Sequence, residues 1–369
     1  MRITFVCTDR QAALADARRC PTRLRGLAGA FRNAEHEVQV LAAGPQAPFD
    51  GIAVREMRLP VTSREVDWHF AQLNPELVIE HWMPGQTACA EAAAAERLPL
   101  LIDVSPEQLG GEYDDALLAT VAAANGHAGL LVASDRDAER ARLLVGPLVT
   151  VHVLEDAVRP ELLAEPDPAL ASQVATRLRL HEREPRIAFL GPLTRESGVL
   201  DLLRGIAAAA EERAFDPMPR VVVIGDGPAR NETLALAFEH GVRLTLCGRV
   251  ADDELGAHLG ASAIVYAGSG AGPLPLLQAM ACERLVVAAD TAESRRILRS
   301  GEDGWLVPEG DVATLARTLG ELLANTDQAL KVGRRARLVV SDGYTWDAQV
   351  ERLVALGAGM HANLQERAG

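Results

Sequence analysis

The sequence contains almost no lysine. Among 369 residues there are 37 lysines and arginines, and Lys331 is the single lysine. Abundant alanine, arginine and glycine are typical of a GC-rich genome, and that codon bias accounts for the imbalance. A chemical consequence remains, because any cation that binds an anion must be an arginine or a backbone N–H group unless it is Lys331.

Positive charge is scarce as well. Aspartate and glutamate number 51, so the net charge is −14. Proteins that bind nucleic acid or anionic membranes need a localised positive patch, and neither partner is expected here. A hydrophobic content of 48% with 24% charged residues is typical of a folded globular protein. At ~100–200 residues per domain, the length predicts two or three domains, and two is the expectation.

Paired cysteines and long apolar runs are also missing. The five cysteines are scattered without a C-x-x-C pair, which favours reduced thiols in a cytosolic protein. No apolar run approaches the ~20 residues of a membrane span. The first apolar stretch reaches a charge at Asp9, too early for a secretory signal. We therefore expect a cytoplasmic protein without a transmembrane segment.

Short apolar runs alternate with amphipathic stretches along the whole chain, a pattern that predicts parallel sheets covered on both faces. The predicted strands of the first half are Ile3–Cys7, Val38–Ala42, Leu77–Glu80, Leu100–Asp103, Gly129–Ala133 and Val149–Leu154. Its predicted helices are Thr22–Asn33, Thr87–Arg97, Asp114–Asn125 and Arg136–Leu144. The segment Glu161–Ser172 has two prolines and no periodicity, and is the candidate linker.

The alternation restarts at Arg186. The predicted strands are Arg186–Leu190, Val221–Gly225, Leu244–Gly248, Ala263–Tyr266 and Val286–Ala289. The predicted helices are Leu200–Arg213, Asn231–His240, Pro275–Cys282, Ser294–Arg299, Val312–Ala324 and Trp346–Leu356. We predict an α/β protein with two doubly wound, Rossmann-like domains at 1–165 and 166–345. Ligands of such folds bind at the carboxyl ends of the strands, so the cleft between the domains is the expected site.

Four glycine-containing turns follow strands of the second half. In the first, Gly191 ends a strand and Ser197-Gly198 precedes a helix, where free N–H groups favour a phosphate. Ser197 as a helix N-cap explains the same residues. In the second turn, Gly225-Asp226-Gly227-Pro228, glycine permits a tight turn and Pro228 suits a first helical position. The third turn is Gly248-Arg249-Val250, which precedes an acidic helix start.

The fourth turn is the most suggestive. Gly268-Ser269-Gly270-Ala271-Gly272 leaves bare backbone, and Pro275 opens an apolar helix at the same sheet edge. Bare N–H groups and the positive end of a helix dipole together form a diphosphate site. A flexible turn before a buried helix remains the alternative.

The order of these turns resembles the donor-binding domain of glycosyltransferase family 4, the retaining enzymes of GT-B fold. The resemblance runs from Arg186 to Leu356, and looser matches extend it over nearly the whole chain. The motifs that carry it are Gly191-Pro192-Leu193, Gly225-Asp226-Gly227-Pro228, Leu246-Cys247-Gly248-Arg249-Val250, Ala279-Met280-Ala281-Cys282, Gly301–Pro308, Gly310-Asp311 and Tyr344-Thr345-Trp346. The segment Asp156–Pro160 falls where the family has its hinge, and residues 346–369 are expected to pack back toward the first domain.

The resemblance implies a hexosyltransferase-type activity. A sugar would pass from a nucleotide diphosphate-sugar to a glycan, lipid, protein or small-molecule acceptor with retention of configuration. No cofactor or metal is implied, because the family uses a protein clamp in place of a divalent ion. The alternative is a catalytically degenerate homologue that serves as partner or regulatory subunit of a second, active glycosyltransferase.

Several residues depart from the family pattern. Gly270 and Gln278 stand where the family has two glutamates, one for the donor sugar and one for the ribose. Pro192 and Ser197 stand where it has the arginine and lysine of the diphosphate clamp. Because one oxyanion donor is worth ~2.7–4 kcal/mol, loss of both cations is costly for catalysis. Arg195 is the candidate replacement.

Two side chains are candidate catalytic residues, Arg195 and Asp103. Asp103 or Ser105 stands near the position of the family's acceptor-side histidine. The predicted donor-binding residues are Gly191, Arg195, Ser197, Gly198, Gly225, Gly227, Gly248, Arg249, Val250, Ser269, Gly270, Gly272, Leu274 and Gln278. Arg18, Arg19, Arg23 and Arg25 either line the cleft or, as we favour, form a solvated face.

Overall fold

The computed structural model describes residues 1–15, 21–163, 167–181, 184–212, 215 and 217–366. The chain divides into two compact units. The first comprises Met1–Asp156 and Trp346–Gly369, and the second Ala157–Thr345. The boundary suggested by the sequence, at residue 165, lies beyond this division and among residues 164–166, which are outside the described residues.

The first unit is built on a seven-stranded parallel sheet. Its strands are β1 (Arg2–Cys7), β2 (Glu37–Ala43), β3 (Ala53–Met57), β4 (Leu77–His81), β5 (Leu100–Asp103), β6 (Ala128–Val132) and β7 (Thr150–Val153), in the order β3-β2-β1-β4-β5-β6-β7. Its helices are α1 (Thr22–Asn33), α2 (Ser63–Leu73), α3 (Ala88–Ala95), α4 (Asp114–Ala123) and α5 (Asp135–Val145). The strand order reverses between β1 and β4.

The second unit repeats the plan with six parallel strands. They are β8 (Arg186–Leu190), β9 (Arg220–Ile224), β10 (Leu244–Gly248), β11 (Ile264–Ala267), β12 (Leu285–Ala289) and β13 (Trp305–Val307), in the order β10-β9-β8-β11-β12-β13. Its helices are α6 (Pro168–Arg177), α7 (Val199–Glu211), α8 (Arg230–Glu239), α9 (Asp252–Gly260), α10 (Leu274–Ala281), α11 (Ala292–Ile297), α12 (Val312–Leu323) and α13 (Thr326–Gly343). Here the order reverses between β8 and β11. The chain then returns to the first unit as α14 (Trp346–Glu366).

The predicted fold class is confirmed: both sheets are parallel and doubly wound. Central strands are buried along their length, as in β9, where Val221, Val222 and Val223 have no exposed surface. Apolar side chains cover both faces of such a strand, which is why it appears in the sequence as an unbroken apolar run. None of the described helices is both long and apolar enough to cross a membrane.

The prediction that Glu161–Ser172 forms a linker is wrong. Pro160–Leu163 form a short 3-10 turn, and α6 begins at Pro168. Asp167 caps this helix, because its carboxylate accepts the N–H of Ala169 at 2.9 Å. Proline suits the first helical position and aspartate the cap. Pro168 therefore marks a helix start rather than an unstructured connection, and Pro166 lies among residues 164–166, outside the described residues.

Candidate functional site

The turns after β8, β9 and β10 are joined to one another through their backbones. Leu193 N donates to Asp226 O at 3.0 Å, and Gly225 N donates to Gly248 O at 2.9 Å. A Cβ atom at Gly225 would overlap the carbonyl oxygen of Gly191. These predicted donor-binding residues therefore lie together, and a close approach of two backbones explains the glycine.

The second of these turns does not begin its helix as predicted. The helix α8 begins at Arg230 with Ala229 as its N-cap, so Pro228 precedes the helix. Ala229 N donates a hydrogen bond to Leu193 O at 2.8 Å, and Gly227 N donates to the carboxylate of Asp226 at 2.9 Å. Proline at position 228 thus belongs to the turn.

The helix α7 has an uncapped N-terminus. Its N-cap is Gly198, at φ +79°, and no side chain among the described residues caps its first turn with a hydrogen bond. Ser197 as the cap is wrong: its side chain is fully buried, and its hydroxyl donates to the carbonyl of Thr194 at 2.8 Å. The first N–H groups of a helix have no partner within the helix, and those of α7 receive none from a side-chain cap.

The helix α10 begins after Pro273, and in the described part of the chain no side chain caps it either. The glycine-rich loop before it packs on the loop before α7. The hydroxyl of Ser269 donates to Glu196 O at 3.1 Å, and a Cβ at Gly270 would stand 2.8 Å from the same oxygen. Two of the three loop glycines, Gly268 and Gly270, thus face the backbone of residues 196–198, and the loop is held in a defined contact.

We call the N-termini of α7 and α10 the paired N-termini. They follow β8 and β11, the neighbouring strands at which the order of the second sheet reverses. Open α/β sheets bind ligands at this position. A helix N-terminus carries about half a positive charge and free N–H groups, so two together favour an anion with several oxygens.

Side-chain charge adds little to the paired N-termini. Arg195 is 76% exposed, and its guanidinium donates to the carboxylate of Glu232 at 2.9 Å. Pro192 is exposed and brings no charge, whereas Arg249, also exposed, has no ion pair within the described part of the chain. Gln278, on α10, is 9% exposed. In the described ranges no three histidine, cysteine, aspartate or glutamate side chains are grouped to hold a metal ion.

The first unit places Asp103 at the carboxyl end of β5, beside His81 at the end of β4. The guanidinium of Arg23 donates to Asp103 at 2.8 Å and to Asp156 at 3.2 Å. His81 Nδ1 lies 3.8 Å from Asp103, too far for a hydrogen bond. Burial acts to raise the pKa of Asp103, but Arg23 and His81 outweigh it and hold that pKa below its ordinary value. Burial prevails at Asp156, whose pKa is raised.

A solvated face for Arg23 and Arg25 is therefore wrong. The side chain of Arg23 is 15% exposed and that of Arg25 is 13% exposed. Arg25 forms two hydrogen bonds of 2.9 Å with the carboxylate of Asp50. Buried arginines are stable in this unit because carboxylates pair with them. Arg18 and Arg19 lie outside the described residues.

A family model described as Glycosyl transferases group 1 matches residues 184–325, which contain the paired N-termini. The matched region lies within the second unit. The chain is similar to a GDP-mannose-dependent alpha-(1-6)-phosphatidylinositol monomannoside mannosyltransferase of Mycobacterium tuberculosis, with 29% identity over 220 residues. It is also similar to an alpha-maltose-1-phosphate synthase of that organism, with 26% identity over 256 residues. These alignments cover 56% and 65% of each chain, respectively. The match to the mannosyltransferase thus spans about half of its length.

Solved structures match the chain over nearly its whole length. Anabaena Alr3699/HepE in complex with UDP and glucose has a TM-score of 0.71 at 18% identity, over 96% of this chain and 99% of that one. WaaG, a glycosyltransferase involved in lipopolysaccharide biosynthesis, has a TM-score of 0.64 at 14% identity, over 96% and 98%. At such identities the likeness establishes the fold alone, which is GT-B.

Proposed function

We propose that the protein transfers a sugar from a nucleoside diphosphate-sugar to an acceptor with retention of configuration. One observation carries the proposal. The paired N-termini meet at the switch point of the second sheet, inside the region that matches the glycosyltransferase model. A diphosphate has the charge and the number of oxygens that two uncapped helix N-termini favour.

The chemical contribution of the paired N-termini would come at departure of the leaving group. When the bond from sugar to diphosphate breaks, negative charge grows on the diphosphate. Fixed N–H dipoles that already point at those oxygens stabilise this charge without reorganisation, which is usually the largest catalytic contribution. Gln278 would bind the ribose hydroxyls through its amide. Arg195 would supply a cation if its guanidinium left Glu232.

The descriptions of the similar proteins name different bases for the nucleotide. One similar protein is described as GDP-mannose-dependent, and HepE is described in complex with UDP. The test is turnover with UDP-, GDP- and ADP-sugars, scored by release of the nucleoside diphosphate. Proton NMR of the product then gives its anomeric configuration. Release with retention supports the proposal, and an inverted product contradicts the retaining mechanism.

A second candidate function is favoured by one observation at the clamp positions. Pro192 brings no cation, and the Ser197 hydroxyl is turned inward to Thr194 O. A chain without this charge suits a catalytically degenerate partner of an active glycosyltransferase. The turnover assay separates the two functions. A degenerate partner binds a nucleotide but releases no nucleoside diphosphate from any nucleotide-sugar.

A further inference from the structure

The chain passes between the two units twice, at Asp156–Ala157 and at Thr345–Trp346. On the side of the second unit these passages run next to each other. Val158 N donates to Tyr344 O at 2.8 Å, and Val158 forms a parallel bridge with Thr345. The two passages are therefore neighbours, although about 190 residues separate them in sequence.

On the side of the first unit a single arginine contacts both passages. Arg23 Nη1 donates to Leu154 O at 2.8 Å and to the carboxylate of Asp156 at 3.2 Å. Its guanidinium carbon lies 6.0 Å from the centre of the Trp346 ring. Trp346 is the first residue of the returning passage and is 1% exposed.

The helix α1 is shaped for this contact. Gly26, three residues after Arg23, has no side chain, and a Cβ atom there would overlap the indole of Trp346. The ring thus lies directly on the backbone of α1 and against the guanidinium. A second nitrogen of Arg23, Nε, donates to Asp103 at 2.8 Å, so the same guanidinium also reaches the carboxyl end of β5.

We propose that Arg23 is a positioning residue that fixes both passages to the first unit and holds the carboxylate of Asp103 in place. A planar guanidinium has five donors in a rigid fork and serves several acceptors at once. Without Arg23, the carboxylates of Asp103 and Asp156 would be buried close together with no cation between them. Asp103 is a candidate catalytic residue only if the proposed function holds, whereas the fixing of the passages does not depend on that function.

Hydrogen–deuterium exchange of the full chain tests the fixing of the passages. In the variant Arg23→Met, the backbone amides of peptides covering residues 154–158 and 344–348 should exchange about tenfold faster than in wild type. The control is Arg25→Met, on the same helix and equally buried, which removes the pair with Asp50 and leaves both peptides at the wild-type rate. Wild-type exchange in Arg23→Met, or equal acceleration in Arg25→Met, overturns the proposal.

The conservative variant Arg23→Lys keeps the experiment decisive if Arg23→Met does not fold. Lysine retains the charge but cannot serve three acceptors in a fork, so both peptides exchange faster than in wild type. A wild-type rate in Arg23→Lys contradicts the proposal. A second readout uses activity: Arg23→Lys lowers kcat for transfer while nucleotide affinity in the second unit is unchanged. If wild type transfers no sugar, the proposed function fails, and the exchange data still decide the role of Arg23.

Discussion

The carbonyl oxygen of Ser197 occupies the space in which a side chain at Gly268 would stand. Because of this contact, the loop before α7 and the loop before α10 meet backbone to backbone. The glycine at 268 is thus required by the packing of two loops, and that packing is what brings the paired N-termini together.

The variant Gly268→Ala should separate the two loops. A methyl group there has no room unless the backbone moves, and forced overpacking costs about 1–3 kcal/mol. We expect a lower free energy of unfolding by that amount, measured in urea, together with loss of nucleotide binding.

The matched control is Gly343→Ala, in the same unit. A Cβ at Gly343 meets no atom within 4 Å, and we expect unchanged binding. Equal effects of the two substitutions, or normal binding by Gly268→Ala, would contradict the packing account.

Arg195 and Glu232 should have opposite effects on nucleotide affinity. If Arg195 supplies the missing cation, Arg195→Ala weakens binding of the diphosphate by about fivefold to tenfold. Glu232→Gln releases the guanidinium from its present partner and strengthens binding. Isothermal calorimetry measures both effects.

The control for this pair is Arg204→Ala, which removes an exposed arginine from the second turn of α7 and from its pair with Asp201. It should leave the affinity unchanged. Unchanged affinity in Arg195→Ala removes Arg195 from the site.

Glu80 makes the stability of the first unit depend on pH. This side chain of β4 has no exposed surface, and neither carboxylate oxygen has a hydrogen-bond partner among the described residues. Burial raises the pKa of Glu80 from 4.5 to about 8, and the neighbouring Cys89 thiol offsets part of this effect. Glu80 is therefore protonated in the folded protein at neutral pH.

Proton linkage gives the sign of the effect. Between the ordinary pKa of 4.5 and the folded-state pKa of about 8, the folded protein binds more protons than the unfolded chain. The free energy of unfolding thus falls as pH rises through this window, by at most about 1.4 kcal/mol per pH unit. Glu80→Gln removes this contribution, so its unfolding free energy falls less steeply. Urea unfolding across the window checks this, with the exposed Glu37→Gln as control; equal slopes in wild type and Glu80→Gln would refute it.

Much of the fold could be predicted because buried parallel strands are unbroken apolar runs. The strands Leu100–Asp103 and Arg186–Leu190 agree residue by residue with the structure. The edge strand β3 was missed, since three of its five residues are exposed and two residues of its sequence, AVREM, are charged. The helix α13 was missed for another reason. Its Gly333 interrupts the helical pattern, and it is glycine because a Cβ there would overlap the carbonyl of Glu283.

One part of the candidate site could likewise be predicted from the sequence, and another part could not. The turns at the strand ends were visible as glycines after apolar runs. The partners of Arg23 were not, because Asp103 and Asp156 lie 80 and 133 residues away in sequence. An ion pair over such a separation has no local signal, and a lone arginine at the start of a helix more often faces solvent. The inward-facing hydroxyl of Ser197 was likewise decided by tertiary packing.

The central claim is that the paired N-termini bind the diphosphate of a nucleotide. Calorimetric titration with UDP, GDP, ADP and CMP tests it most directly, on wild type, Ser269→Asp and the control Ser341→Asp. A carboxylate at position 269 repels the diphosphate between α7 and α10, whereas position 341 is an exposed site on α13. The account predicts that at least one nucleoside diphosphate binds to wild type and Ser341→Asp but not to Ser269→Asp. Absence of binding to wild type, or wild-type affinity in Ser269→Asp, would contradict it.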